Sequence, residues 1–510
     1  MYFILVGILV FLIFLYGARN HKVWEIKGVK HDKPLPFVGT SLRQFLQRIS
    51  ISDMITDFYK RYPDERYVGF YIANTPGIVI KDPELIKHIL VTDFHYFHRR
   101  GVNFHKTVYE PMMKNLFTVD GDIWKLLRQR LTPAFTSGKL KAMFPLIVER
   151  AEKLKKLAAA SSEAGKEVDM RDLMARYTTD FIGAVGFGIE GDALDQEDSL
   201  FRKLGKRIFT TTKMDGLRIL AKALGVETFK NLHFLTPEIE RNTVTLVTNV
   251  LKQRNYQNSG RNDFIDLLID LKQKGVIVGE SVEKREADGT PLTVELELDD
   301  LLMAAQVFVF FAAGFETSSS TTSYTLHQLA FNPEEQKKCQ DEIDEVLKKH
   351  GGLSYEAVKD MKYLEMAFKE SMRMYPPLGL LMRKCAKSYK LPGTNVVIDE
   401  DTMVTIPIHA LQTDARYFEE PEKFKPERFL RENEMKKHIY LPFGEGPRAC
   451  IGERLGLMQS LTGLAALLSE YSVIPCKNTI RHPVTDPAST ITQSIQGGLP
   501  LALVARKKVQ

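Results

Sequence analysis

The apolar and polar positions divide this chain into stretches of very different character. Residues 1–18 are almost wholly apolar and carry no charged side chain. As a helix they would extend roughly 27 Å, close to the ~30 Å hydrocarbon core of a bilayer. Arg19, His21, Lys22, Lys27, Lys30 and Lys33 follow, and positive charge on that flank keeps it in the cytosol. A cleaved signal peptide is the alternative, but its charges precede the apolar run and a small-x-small site follows it, and neither holds here. The pattern predicts a single-pass signal anchor over 1–18. Residues 19–40, basic and broken by Pro34, Pro36 and Gly39, predict a stiff non-helical hinge. Residues 41–510 predict one folded body.

Within that body the helical period dominates. β-prone runs at 67–72 and 77–80 flank the turn cluster Asn74-Thr75-Pro76-Gly77 and predict a hairpin. A helix over 83–91 follows, capped by Asp82 with Pro83 in its first turn. Residues 140–260 predict mostly helix, with an Ala/Ser/Gly-rich loop ending the stretch 154–165 and a helix start at Asn262. Residues 273–298, rich in Gly, Lys and Glu, predict an exposed loop or a hairpin around Asp288-Gly289. The longest helical pattern, 301–329, opens after Asp299-Asp300 and is apolar nearly all round, so it should cross the interior. Further helices are predicted from Asn332-Pro333, over 363–374 before Tyr375-Pro376-Pro377, and over 451–468. Short strands at 395–398 and 403–406 and an irregular meander over 413–430 complete a mainly α chain with a small β region.

Composition narrows the class. The chain has 510 residues, 44% of them hydrophobic, enough for a large core. Four cysteines, Cys339, Cys385, Cys450 and Cys476, are too few for a disulfide framework, and no CxxC pair suggests zinc. The soluble part reads as a protein of a reducing compartment. A formal charge of +6 is mild; it fits an anionic membrane surface or an acidic protein partner and is no nucleic-acid signature.

Five local patterns carry chemistry. Phe443-Gly444-Glu445-Gly446-Pro447-Arg448-Ala449-Cys450-Ile451-Gly452 places a cysteine at the start of an apolar helix. There orphan N–H groups would lower a thiol pKa, the glycines would let a flat ligand approach, and Arg448 could reach a carboxylate; a buried free thiol is the bland alternative. Trp124 and Arg128 share a helix face, as an arginine packed on a tryptophan or as ligands of an anion. Ala313-Gly314-Phe315-Glu316-Thr317 puts a glycine and an acid inside an apolar helix. A glycine there costs about 1 kcal/mol and invites a reason, either close approach of a ligand or a kink. Helical spacing aligns Val309, Ala312, Ala313 and Thr317 on one face. Glu370 and Arg373 are either a solvated pair or, with Arg428 of Pro426-Glu427-Arg428-Phe429, a buried network.

Taken in chain order, with the cysteine loop last, these motifs resemble the cytochromes P450, and the resemblance spans about residues 20–508. The Phe-Gly-Glu-Gly-Pro-Arg loop start, Phe310 to Ser320 and Pro475-Cys476 are similar to the insect microsomal, family-6 group; Ala449 and Leu455 depart from its usual polar and aromatic residues. The resemblance implies the cytochrome P450 fold over 41–510 and haem b (iron protoporphyrin IX) with Cys450 as thiolate ligand to the metal. Trp124, Arg128, Arg383, Arg448, Phe443, Gly444, Gly452, Ala313 and Gly314 are implied as cofactor contacts. Glu316 and Thr317 are implied as the proton relay, Val309, Ala312, Ala313, Leu378 and Leu381 as substrate wall, and Glu370, Arg373 and Arg428 as structural. The implied reaction is monooxygenation of lipophilic small molecules such as plant toxins or insecticides, with endogenous lipids or hormones as alternatives. No flavin or dinucleotide motif is present, so electrons would come from NADPH through NADPH–cytochrome P450 reductase, with cytochrome b5 a further donor. Lys125, Arg130, Lys436 and Lys437 are its candidate contacts or ordinary surface cations. The implied place is the endoplasmic reticulum membrane, cytosolic face. A haem-thiolate isomerase or dehydratase would need neither reductase nor relay, and a haem-binding sensor would need the site without turnover.

Overall fold

The computed structural model describes residues 2–102, 110–163, 165, 167–188, 212–223, 231–233, 235–261, 263–489 and 492–507. The expected helix start at Asn262 and much of the varied region between 189 and 234 lie outside them. The helices include α1 (Tyr2–Ala18), α2 (Gly121–Leu131), α3 (Ser137–Glu163), α4 (Met170–Ile182), α5 (Asp300–Phe331), α6 (Pro333–His350), α7 (Lys362–Met374) and α8 (Glu453–Glu470). The strands are short: β1 (Tyr67–Ile72), β2 (Thr75–Ile80), β3 (Val168–Asp169), β4 (Ile277–Arg285), β5 (Pro291–Leu296), β6 (Leu381–Lys384), β7 (Tyr389–Lys390), β8 (Val397–Ile398), β9 (Met403–Ile406), β10 (Tyr471–Pro475) and β11 (Pro500–Ala505). They pair in the orders β1-β2-β9-β6, β10-β11-β3, β4-β5 and β7-β8.

α1 is uncharged and exposes Tyr2, Phe3, Ile8, Leu12 and Tyr16. Beyond it the chain fastens onto β1. Trp24 is buried and its Nε1 donates to the Phe70 carbonyl at 3.1 Å. Leu35 and Gly39 exchange backbone bonds of 2.8 Å, and a Cβ on Gly39 would stand 2.5 Å from the Tyr71 carbonyl oxygen. Much of the segment that reads as a hinge is therefore bound to the body.

α5 is the axis of the body. The Asp299 side chain accepts from the Leu302 N–H and caps it. Its second half, from Ser318 to Ala330, is buried throughout, with α4, α7 and α8 packed around it. Leu326 and Leu329 join Leu364 and Phe368 of α7 and Leu464 and Leu468 of α8 in the main core. A second core lies on the β1-β2-β9-β6 sheet, where Ile78, Ile80, Val404 and Ile406 meet Leu85 and Leu90. By length and composition α5 passes for a bilayer-crossing helix, but its burial marks it as a core helix; α1 is an apolar helix of 17 residues, shorter than α5.

Several boundaries differ from the sequence pattern: β2 starts at Thr75, inside the expected turn cluster, β8 is shorter than the expected 395–398, and a short helix, Val23–Ile26, lies within the expected non-helical hinge. α3 runs on to Glu163, because the Ala158-Ala159-Ala160 run that reads as loop has high helix propensity. α8 starts at Glu453 with Gly452 as its N-cap, not at Ile451; an apolar residue in the preceding turn extends the periodic pattern beyond the helix.

Candidate active site

The cysteine loop is built on two left-handed glycines, Gly444 (φ +71°) and Gly446 (φ +76°). The Ala449 N–H donates to the Gly446 carbonyl at 3.0 Å, and the Cys450 N–H to that of Phe443 at 2.8 Å. The close approach that Gly446 permits is to protein: a Cβ there would stand 1.9 Å from the Leu90 carbonyl oxygen. At Gly444 the nearest atom would be Leu381 Cδ1 at 3.7 Å. Gly446→Ala should therefore cost about 2–5 kcal/mol, left-handed strain plus overpacking. Gly444→Ala should cost only the strain, about 1–2 kcal/mol. Thermal unfolding of the two variants measures the difference, and equal midpoints would remove the Leu90 contact from the argument.

Cys450 lies two residues before the N-cap of α8, not in its first turn as expected. It retains accessible surface, yet sits so deep that burial pushes its thiol pKa up. The Gly452 N–H, Arg128 and Arg100 oppose the rise, and Glu453 adds to it. The expected lowering is thus overturned in the protein alone; a bound metal would have to supply it. Gly452 has no positive φ, and a Cβ there would meet nothing within 4 Å.

α5 presents a matching strip. Val309, Ala312, Ala313, Gly314 and Thr317 keep accessible surface, Ala313 most of all, in an otherwise buried helix. The Thr317 hydroxyl donates to the Ala313 carbonyl at 2.7 Å. Glu316 turns elsewhere: Arg171 of α4 donates to its Oε1, as does the Ser320 hydroxyl at 3.3 Å. Burial raises the Glu316 pKa, against the pull of Arg171. Gly314 has its reason in packing, since a Cβ would stand 2.3 Å from Ile182 Cδ1 on α4. The helix is unbroken there, so neither a ligand at Gly314 nor a kink is required. Leu378 is half-buried and Leu381 buried, and Phe443 packs on the main core.

Guanidinium groups gather at the loop. Arg128 Nη1 donates to the Ala449 carbonyl at 2.8 Å. Arg448 is buried, lies 4.4 Å over the Trp124 ring, and donates to the Val119 carbonyl at 2.7 Å and Asp120 Oδ1 at 3.0 Å. Arg383, 1% exposed, donates to the Met382 carbonyl at 2.8 Å, while its Nε has no hydrogen-bond partner among the described residues. Its pKa is driven well down by burial and by Arg100 and Arg448. Arg100, which the sequence reading missed, stacks on Phe117 at 4.2 Å, and burial lowers its pKa to about 10 against the pull of Asp120 and Cys450. Its only signal was the basic run His98-Arg99-Arg100.

Beneath the site, Glu370 and Arg373 are both fully buried and joined by two bonds of 2.7 and 2.9 Å. Arg428 Nε and the Lys425 N–H donate to Glu370 Oε1 at 3.2 and 3.0 Å. Arg373 also holds the carbonyls of Gln412 and Pro421 at 2.9 and 2.8 Å, which pins the meander leading to the cysteine loop. On the surface, Lys125 pairs with Glu280 at 3.6 Å and Arg130 donates to the Val278 carbonyl at 3.2 Å. Lys436 and Lys437 are exposed.

This donor set fits haem. One soft ligand keeps accessible surface, and Arg100, Arg128, Arg383 and Arg448 outnumber the adjacent acid Asp120, as two carboxylates of a ligand would require. A mostly helical body with small sheets, this cysteine loop with its guanidinium groups and the long core helix α5 are the parts of a haem-thiolate protein. The family model described as Cytochrome P450 matches residues 30–498. The chain is 37% identical to cytochrome P450 6B2 of Helicoverpa armigera over 507 residues, 99% of this chain and 98% of the relative. Cytochrome P450 6k1 of Blattella germanica is 38% identical over 517 residues (98% and 96%). Cytochrome P450 6a2 of Drosophila melanogaster is 37% identical over 510 residues (97% of each). The chain belongs to the cytochrome P450 family, the monooxygenase oxidoreductases, and is of the insect family-6 type.

Proposed function

We propose that this protein is a membrane-anchored monooxygenase of the endoplasmic reticulum that hydroxylates or epoxidises lipophilic small molecules, among them plant toxins or insecticides. Residues 1–18 anchor it, and the body faces the cytosol. NADPH–cytochrome P450 reductase supplies electrons. The observation that carries the reading is the gathering of four guanidiniums at the loop of an accessible cysteine, with an accessible strip on the core helix α5.

Haem, when bound, supplies the oxygen activation. Cys450 would hold its iron; Arg100, Arg128, Arg383 and Arg448, with Trp124, would hold its carboxylates. Val309, Ala312, Ala313, Leu378 and Leu381 exclude water and offer an apolar wall. Thr317 carries the hydroxyl on this strip. Glu316, one residue away, is buried, accepts from Arg171 and Ser320, and is the acid of the proposed relay. Lys436 and Lys437 stay open to an acidic partner.

Reconstitution in phospholipid vesicles with haem and reductase tests the reading. A lipophilic substrate panel should yield products carrying one added oxygen atom, dependent on NADPH and dioxygen; haem uptake without such products, across a broad panel, would count against it. Within that assay, Thr317→Ala should lower the product formed per NADPH by about tenfold or more, the scale of a lost proton-transfer group. Thr317→Ser should restore much of it. Unchanged coupling in Thr317→Ala would remove the hydroxyl from the relay.

A further inference from the structure

The β4–β5 hairpin belongs to none of the five motifs, yet it is tied to the cationic edge at several points. Its ladder loses register between Glu280 and Arg285, and such an irregularity re-aims side chains. Ser281, 1% exposed, donates to the two Asp122 oxygens at 2.8 and 2.9 Å, and the Val282 N–H donates to Asp122 Oδ1 at 2.6 Å. Glu283 Oε1 accepts from Arg99 Nε at 3.0 Å and lies 2.9 Å from Arg99 Nη2. His98 Nε2 stands 3.7 Å from the same oxygen. The Glu283 carboxyl also rests on the start of α2, where a Cβ on Gly121 would come within 3.2 Å of it. Helix N-termini favour an anion there.

The held segment leads straight into the site. The Arg99 carbonyl accepts from the Lys384 N–H at 2.8 Å, one residue beyond Arg383. The N–H groups of Arg100 and Gly101 donate to the Asp120 carboxylate at 2.6 and 3.2 Å, and Asp120 in turn receives Arg448. Without Glu283, the Arg99 side chain would keep, among the described residues, its longer pairs with Glu400 at 3.8 Å and Asp401 at 3.6 Å. The segment would then be drawn towards β9 rather than unfolded.

We propose that Glu283 is a positioning residue: through Arg99 it fixes the 98–101 segment, and so sets where the Arg100 guanidinium meets a carboxylate of the haem. This rests on the haem reading above. The test is the rate of haem transfer from the holoprotein to excess apomyoglobin, for wild type, Glu283→Gln, Arg100→Gln and the double variant. Each single change should speed haem loss about three- to tenfold, and the double variant should lose haem no faster than Arg100→Gln alone, as expected of residues acting in series. The thermal midpoint of Glu283→Gln should stay at the wild-type value. A Glu283→Gln rate equal to wild type, or effects that multiply in the double variant, would overturn the inference. Wild-type protein that takes up no haem would instead overturn the functional reading.

Discussion

Cys450→Ala should abolish the strongly red-shifted Soret band of the reduced, carbon monoxide-bound protein, together with turnover. Among the four cysteines, the geometry singles out this one. Cys339 is fully buried in α6, and burial pushes its thiol far up. Cys385 donates through Sγ to the Lys387 carbonyl at 2.9 Å, with burial raising its pKa to about 12. Cys476 lies after β10 beside Thr479. Cys450 alone of the four is exposed, and Arg128 and Arg100 oppose the rise that burial gives its thiol pKa. Alanine variants of the other three should therefore keep the red-shifted band. A band at the position of a histidine-ligated haem in fresh wild-type protein, or an unchanged band in Cys450→Ala, would refute the ligand assignment.

The parts of this site that were legible are those where one element carries the whole signal. α5 announces itself through all-round apolarity and Asp299, and Gly444 with Gly446 mark a loop needing positive φ. The same residues show where the signal stops. Gly314 says that something approaches the helix closely, but only the fold shows that it is Ile182. Gly446 likewise answers to the Leu90 carbonyl, a backbone group with no side-chain signature. Glu316 reads as an acid beside an alcohol, while its partner Arg171 comes from a helix far away in the chain.

The cationic edge was half legible for a related reason. Arg128 and Arg448 sit inside motifs whose spacing aims them. Arg100 sits in a basic run that composition alone assigns to solvent, and it becomes part of the site because the Asp120 carboxylate folds residues 100 and 101 against the start of α2. Glu283 was hidden more deeply, since a Gly-, Lys- and Glu-rich stretch reads as exposed loop. The tip of the hairpin, residues 284–290, is exposed; Ile277 joins the main core, and residues 281–283 turn inward where the ladder breaks register.

Glu370→Ala should cost about 3–5 kcal/mol, the penalty for stranding a buried charge. Against a total stability of about 5–15 kcal/mol, that leaves little or no folded protein at 37 °C. What Arg373 would lose sets the cost. Neither residue of the pair is accessible, so water cannot replace the carboxylate, and the carbonyls of Gln412 and Pro421 cannot neutralise the charge. Glu370→Gln keeps an oxygen for the Lys425 N–H but drops the charge, so it should fall between wild type and alanine. Arg428→Ala removes a partner that is itself partly accessible and should cost about 1 kcal/mol, the scale of an ordinary hydrogen bond. Because Arg373 and Arg428 hold the meander that delivers the cysteine loop, haem content should fall with stability across the three variants. Denaturant unfolding with haem absorbance followed in parallel would show this. A Glu370→Ala protein with wild-type midpoint and full haem content would mean that the buried charges are compensated by groups other than each other.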